Sequence, residues 1–166
     1  MNTPDSGLIL ILSFVLLAAR TPVSFLALAA AQAVVLAVSA AVQGYYPEAA
    51  ALLVLNAVGL PLGLRAHATS QPRAPRIGFP ARLGAGVVLA LLAALLSVPL
   101  AVLLLGLLTV AGSRDRVVHV AGLLAMQNGI ALAGLALPDA ERMAAILPVI
   151  PALACAALWS VRRGPV

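Results

Sequence analysis

Charge is what this sequence has least of. Of 166 residues, 10 are basic and 5 acidic, 9% in all, whereas soluble domains carry roughly 25%. So few charges cannot cover a soluble core of this size. The single cysteine, Cys155, lies inside an apolar run, which excludes a disulfide framework and cysteine-based metal spacing and leaves a small buried side chain. No basic residue precedes the first apolar run, so that run lacks the positive start of a cleaved signal peptide and reads as a retained span. There is no glycine-rich phosphate loop, no His/Cys cluster and no nucleophile with a base in reach. The expectation is a chain that is not an enzyme and holds no cofactor or metal. Nor does any Asp, Glu, Lys or Arg fall deep in an apolar run, so no carboxylate is placed to carry protons across.

What is present is hydrocarbon. The chain is 63% hydrophobic, with a mean hydropathy of +1.13. This is the composition of an all-α, polytopic transmembrane helix bundle, a single integral membrane domain over residues 1–166. A net charge of +5 would point to nucleic acid in a soluble chain, but here the arginines punctuate apolar runs and read as topology signals, with the lipid bilayer as the partner.

In order, the spans are Gly7 to Ala19, ended by Arg20, Thr21 and Pro22; Val23 to Val42, ended by Gly44, Tyr45, Tyr46 and Pro47; and Glu48 to about Leu64. A basic cytoplasmic loop is expected over 65–82, irregular because of its prolines and arginines. The thirty apolar residues from Leu83 to Gly112 are long for one crossing and short for two. A tight hairpin turning near Ser97 and Pro99 puts nine arginines on one side and only Arg142 on the other, whereas a single crossing gives six against four. The positive-inside rule therefore favours seven spans over six, with the N-terminus outside and the C-terminus cytoplasmic. Val117 to Leu137 and Met143 to Val161 complete the set, the last closed by Trp159 and Arg162. A faint parallel repeat is also visible: Arg20, Gln32, Glu48 and Arg65 are spaced by 12, 16 and 17 residues, and Arg114, Gln127, Glu141 and Arg162 by 13, 14 and 21.

Polar and small residues inside the spans mark where helices meet protein rather than lipid. In the third span, Asn56, Gly59, Gly63 and His67 recur at steps of three and four and are expected on one face, with Gly59 and Gly63 forming a GxxxG and Pro61 kinking the helix. Asn56 then stands either as packing glue or as an ion or substrate contact. In the second span, Gln32, Ser39 and Gln43 line one face and Ala29, Ala33, Ala37, Ala40 and Gly44 another. In the sixth, Gly122, Ala125, Gly129 and Ala133 form a small-residue stripe beside Gln127 and Asn128. His119 sits near the interface, either as a neutral structural imidazole or as a proton relay.

The run Leu105 to Leu108, Ser113-Arg114, Gly122, and Met126-Gln127-Asn128-Gly129-Ile130 resembles component E of hydrogenase-4 and formate hydrogenlyase complexes, a family of small multispan subunits partly related to the K-type subunit of complex I. The likeness is best over Leu103 to Leu137, with a weaker one from Leu53 to Leu64. The family reads Glu-Asn-Gly where this chain has Gln127-Asn128-Gly129, and tends to an intramembrane lysine where it has Asn56. Both titratable groups are amides here, which hydrogen-bond but do not ionise. The resemblance thus implies a non-catalytic subunit of a hydrogenase-like or complex-I-like energy-converting complex in a bacterial cytoplasmic membrane, packed against antiporter-like, proton-translocating subunits that leave any redox chemistry to other chains. A reading from another class remains beside it: a standalone transporter or channel with a polar path through Gln32, Asn56 and Gln127.

Overall fold

The computed structural model describes residues 4–65 and 78–135. The expected seventh span, Cys155, His67, and Glu141 and Arg162 of the proposed repeat lie outside the described residues. Those described fold as helices alone: α1 (Pro4–Ala18), α2 (Pro22–Val42), α3 (Tyr46–Arg65), α4 (Phe79–Ala94), α5 (Val98–Ala111) and α6 (Arg116–Gly134). Three of them, α2, α3 and α6, are long and apolar enough to cross a membrane; α1, α4 and α5 are shorter apolar helices.

Local chemistry explains the boundaries. Pro22, Pro47, Pro80 and Pro99 occupy the first turns of α2 to α5, where a missing N–H costs nothing. The side-chain oxygens of Thr21, Ser97 and Asp115 cap α2, α5 and α6, accepting from the backbone N–H of Ser24, of Leu100, and of Val117 and Val118. Between α2 and α3, Gly44 takes φ +86°, while its N–H donates to the Ala41 carbonyl and that of Tyr45 to the Ala40 carbonyl. This is a Schellman ending, in which the left-handed residue has to do without a Cβ. The apolar stretch after Leu83 does break into two helices, with Leu95 and Leu96 in the turn and Ser97 as the cap of the second.

Helices α1, α2, α5 and α6 form the centre of the bundle. α1 packs on α2 and α5, α2 on α6, and α5 on α6; α3 lies outside on α2, and α4 on α5 and α1. The α5–α6 contact is the closest approach, because three glycines have no side chain to hold the antiparallel backbones apart. A Cβ on Gly106 would sit 2.7 Å from the Met126 nitrogen; one on Gly122, 3.0 Å from the Gly106 carbonyl oxygen; one on Gly129, 2.9 Å from the Leu103 nitrogen. Small residues at such a seam let dispersion contacts form between backbones where no hydrophobic drive exists. The small stripe expected on α6 is only partly used in this way: Ala133 is exposed, and Met126 takes a place between Gly122 and Gly129.

Two expectations are corrected. The basic loop assigned to 65–82 ends earlier, since α4 begins at Phe79 and Arg82 is in its first turn, 95% buried. Its Nη2 donates to the carbonyl oxygens of Leu17 and Ala19, its guanidinium lies 5.6 Å from the centre of the Phe25 ring, and its stem crosses Gly112. Those carbonyls are the orphan acceptors at the C-terminus of α1, where a cation is favoured by both hydrogen bonding and the helix dipole. The second correction concerns α3. Gly59 and Gly63 are exposed, whereas Asn56 is buried, so the three do not share a face. The reason is a π-helical segment, Leu52–Gly59, whose wider turn shifts the register and leaves Leu52, Asn56, Leu60 and Leu64, at steps of four, as the buried stripe. Pro61 accounts for the segment, because a normal turn would drive its ring into the carbonyl four residues back.

The five arginines among the described residues, Arg20, Arg65, Arg82, Arg114 and Arg116, collect at one end of the bundle. Away from that end the exterior is hydrocarbon: Ile11, Val38, Val54, Leu91 and Leu92 are all more than half exposed. Such a surface on a soluble monomer would be an aggregation liability. It suits a membrane-associated protein.

Substituting Gly129→Val sets a branched side chain against the α5 backbone and is expected to cost about 1–3 kcal/mol, measured by heat or SDS unfolding of the purified protein in detergent. Gly84→Ala, where nothing lies within 4 Å of an added Cβ, should instead gain up to about 1 kcal/mol; matching effects at the two positions would exclude the close α5–α6 seam. In the same assay, Arg82→Met should cost about 1.5–3 kcal/mol by orphaning the α1 carbonyls, while Arg65→Met, at an exposed position, should stay within about 0.5 kcal/mol of the parent.

Candidate functional site

The interior has two large apolar layers. One holds Leu16 of α1, Phe25, Leu26 and Ala29 of α2, Leu60 and Leu64 of α3, and Val117, Val118, Val120, Ala121, Leu124 and Ala125 of α6. The other holds Ile9, Leu36, Ala40, Leu52, Ala131 and Leu135 from the same four helices, with Val102 of α5. Between these layers each of the four helices contributes a polar side chain: Ser13 from α1, Gln32 from α2, Asn56 from α3, and Gln127 and Asn128 from α6. All five are 99–100% buried. The result is a polar belt across the middle of the bundle.

Part of the belt is a directed chain of hydrogen bonds through three helices. Asn128 Nδ2 donates to Gln32 Oε1 at 3.3 Å, Gln32 Nε2 donates to Ser13 Oγ at 2.8 Å, and the Ser13 hydroxyl donates to the Ile9 carbonyl at 2.9 Å. Asn128 Nδ2 also reaches the Ala29 carbonyl at 3.4 Å. In an apolar interior each such bond holds two helices in one rotational setting, because the alternative is an unpaired polar group. Asn128 Oδ1 is left without a partner, as are both amide atoms of Gln127 and both of Asn56.

Of the residues singled out in the sequence, the structure thus joins Gln32 directly to Asn128 and sets Gln127 and Asn56 in the same layer. Gly122 and Gly129 belong to the α5–α6 seam, and Gly59 and Gly63 face outward. His119 is apart from the belt. Its Nε2 lies 2.8 Å from the Ser113 carbonyl, which can only accept, so that nitrogen bears the proton and ties the α5–α6 turn. The turn is further fixed by the Asp115 N–H donating to Ser113 Oγ at 3.0 Å. Sequence reasoning missed Ser13, whose one signal is a lone hydroxyl in the middle of an apolar run, and Arg82, which Pro80 could have marked as helical.

Chemically the belt consists of amides and a hydroxyl, groups that orient and bind but do not ionise. Among the described residues no group of three or more His, Cys, Asp or Glu side chains is placed to hold a metal ion. Comparison of the chain with protein-family models, curated proteins and solved structures found no match.

If the Asn128–Gln32 bond holds α6 to α2, the double-mutant cycle of Gln32→Leu and Asn128→Leu should show a coupling of about 0.6 kcal/mol, and at most about 1.7 kcal/mol, by SDS unfolding in mixed micelles. Strict additivity would show that the two amides act independently.

Proposed function

We propose that this chain is a non-catalytic, seven-span subunit of an energy-converting membrane complex of the hydrogenase-4 or formate hydrogenlyase type, packed beside antiporter-like, proton-translocating subunits. In this reading the arginine-rich end of the bundle faces the bacterial cytoplasm, the N-terminus lies outside, and redox chemistry belongs to partner chains. The observation that carries it is the role of the stretch bearing the resemblance. Leu103 to Leu137 includes most of the α5–α6 hairpin, and its glycines Gly106, Gly122 and Gly129 close the seam, while Asn128 ties the hairpin to α2. A stretch with that role is one a family of packing subunits has reason to keep. Two further features favour a scaffold. The belt contains no titratable group, and the outward GxxxG of α3, Gly59 and Gly63, offers a backbone-close surface unused within the described residues.

One observation favours the second reading, a standalone transporter or channel: Asn56 and Gln127 are buried with unused hydrogen-bonding capacity, as groups lining a polar path would be.

A mild-detergent purification through a C-terminal tag, with mass spectrometry of what accompanies the chain, separates these readings. Antiporter-like membrane subunits and a hydrogenase-like peripheral arm are expected, and Gly63→Leu, at an exposed position of α3, should release the membrane partners while the chain remains folded. Recovery of the chain alone, together with solute uptake into liposomes containing only this protein, would establish the second reading instead.

A further inference from the structure

We propose that Asn56 of α3 and Gln127 of α6 frame a shared hydration site in the middle of the bundle, occupied by water that bridges the two carboxamides. The inference goes beyond the subunit and transporter readings and depends on neither.

Their juxtaposition follows from the packing on either side. The buried stripe of α3 runs Leu52, Asn56, Leu60, Leu64, antiparallel to α6. Toward one end, Leu60 and Leu64 share an apolar cluster with Val117, Val120 and Leu124; toward the other, Leu52 shares one with Ala131 and Leu135. Asn56 lies one step from Leu52 and one from Leu60, and Gln127 lies between Leu124 and Ala131. The same antiparallel register therefore brings the two to one level. Both are 99% buried, and all four amide atoms lack a partner.

Water is the guest whose chemistry fits. Two carboxamides offer both donors and acceptors and carry no charge, so they match a small neutral molecule that both donates and accepts. A cation would shed its hydration shell with no carboxylate to compensate, which is prohibitive at this depth. A buried water needs two to four polar partners. The amides supply them, and the backbone adds one. Pro61 has no N–H to give to the carbonyls four and five residues before it, those of Ala57 and Asn56, and Leu60 donates to Leu55 instead. α3 and α6 both lie on α2, and their backbones make few close contacts with each other. π-helical segments often occur where a helix gives up regular bonding to serve a bound group, and Asn56 is inside this one.

The test is water-edited solid-state NMR on the full chain in lipid bilayers with perdeuterated acyl chains, in a buffer containing no small organic solute. The side-chain amides of Asn56 and Gln127 are expected to receive magnetisation from water rapidly, unlike the backbone amides of Leu124 and Ala131 in the flanking layers. Gln127→Met should reduce the transfer to Asn56 several-fold, and Asn56→Leu should do the same to Gln127; either variant suffices if the other fails to fold. Three results would overturn the proposal: no transfer to either amide, a direct Asn56–Gln127 amide contact without water, or transfer at each that is indifferent to loss of the other. Buffer without solute leaves water as the source of the transferred magnetisation.

Discussion

A carboxamide in a hydrocarbon interior has no water to fall back on, and the arrangement of this bundle depends on that fact. Asn128, Gln32 and Ser13 satisfy one another in sequence, with the Ile9 carbonyl as the final acceptor. A rotation of α6 by one residue would break the first bond and strand two amides where stranding costs most. Apolar side chains can repack in many rotational settings at similar energy, but a hydrogen bond is met in few. The layers above and below the belt therefore supply area, while the belt selects which of many similar packings is adopted.

The close approach of α5 and α6 works by the opposite means, the removal of side chains. Gly106, Gly122 and Gly129 allow backbone atoms to meet where a methyl group would not fit. Dispersion summed over such a seam grows with proximity, and lipid offers no competing contact of equal density. The hairpin formed in this way presents Asn128 to α2 from a rigid base, so the belt and the seam reinforce each other. Arg82 closes the structure at the basic end. Its donors meet the free carbonyls of α1, so a residue that would serve as an interfacial anchor in a loop becomes a clasp between α1 and α4.

α3 departs from regularity in a way that one residue accounts for. Pro61 excludes an ordinary turn before it, the turn widens into a π segment, and the face of the helix is redistributed. Asn56 is turned inward and the GxxxG outward, so a pattern that reads as one stripe on an ideal helix is divided between the interior and the outer surface. Regular periodicity cannot foresee this, because it presumes the pitch that the proline alters.

The helical class, the membrane character, the break near Ser97 and the gathering of arginines at one end were legible in the residues, since hydrophobicity, proline position and capping chemistry act locally and add up along the chain. The candidate polar residues were visible for the same reason: an amide among leucines is conspicuous wherever it points. Their pairing was not visible. Which amide meets Gln32, that Ser13 belongs to the belt, that Arg82 reaches back 63 and 65 residues to α1, and that Gly59 faces outward are outcomes of helix rotation and register. Those are decided by the simultaneous fit of several helices, a condition no single stretch of chain contains.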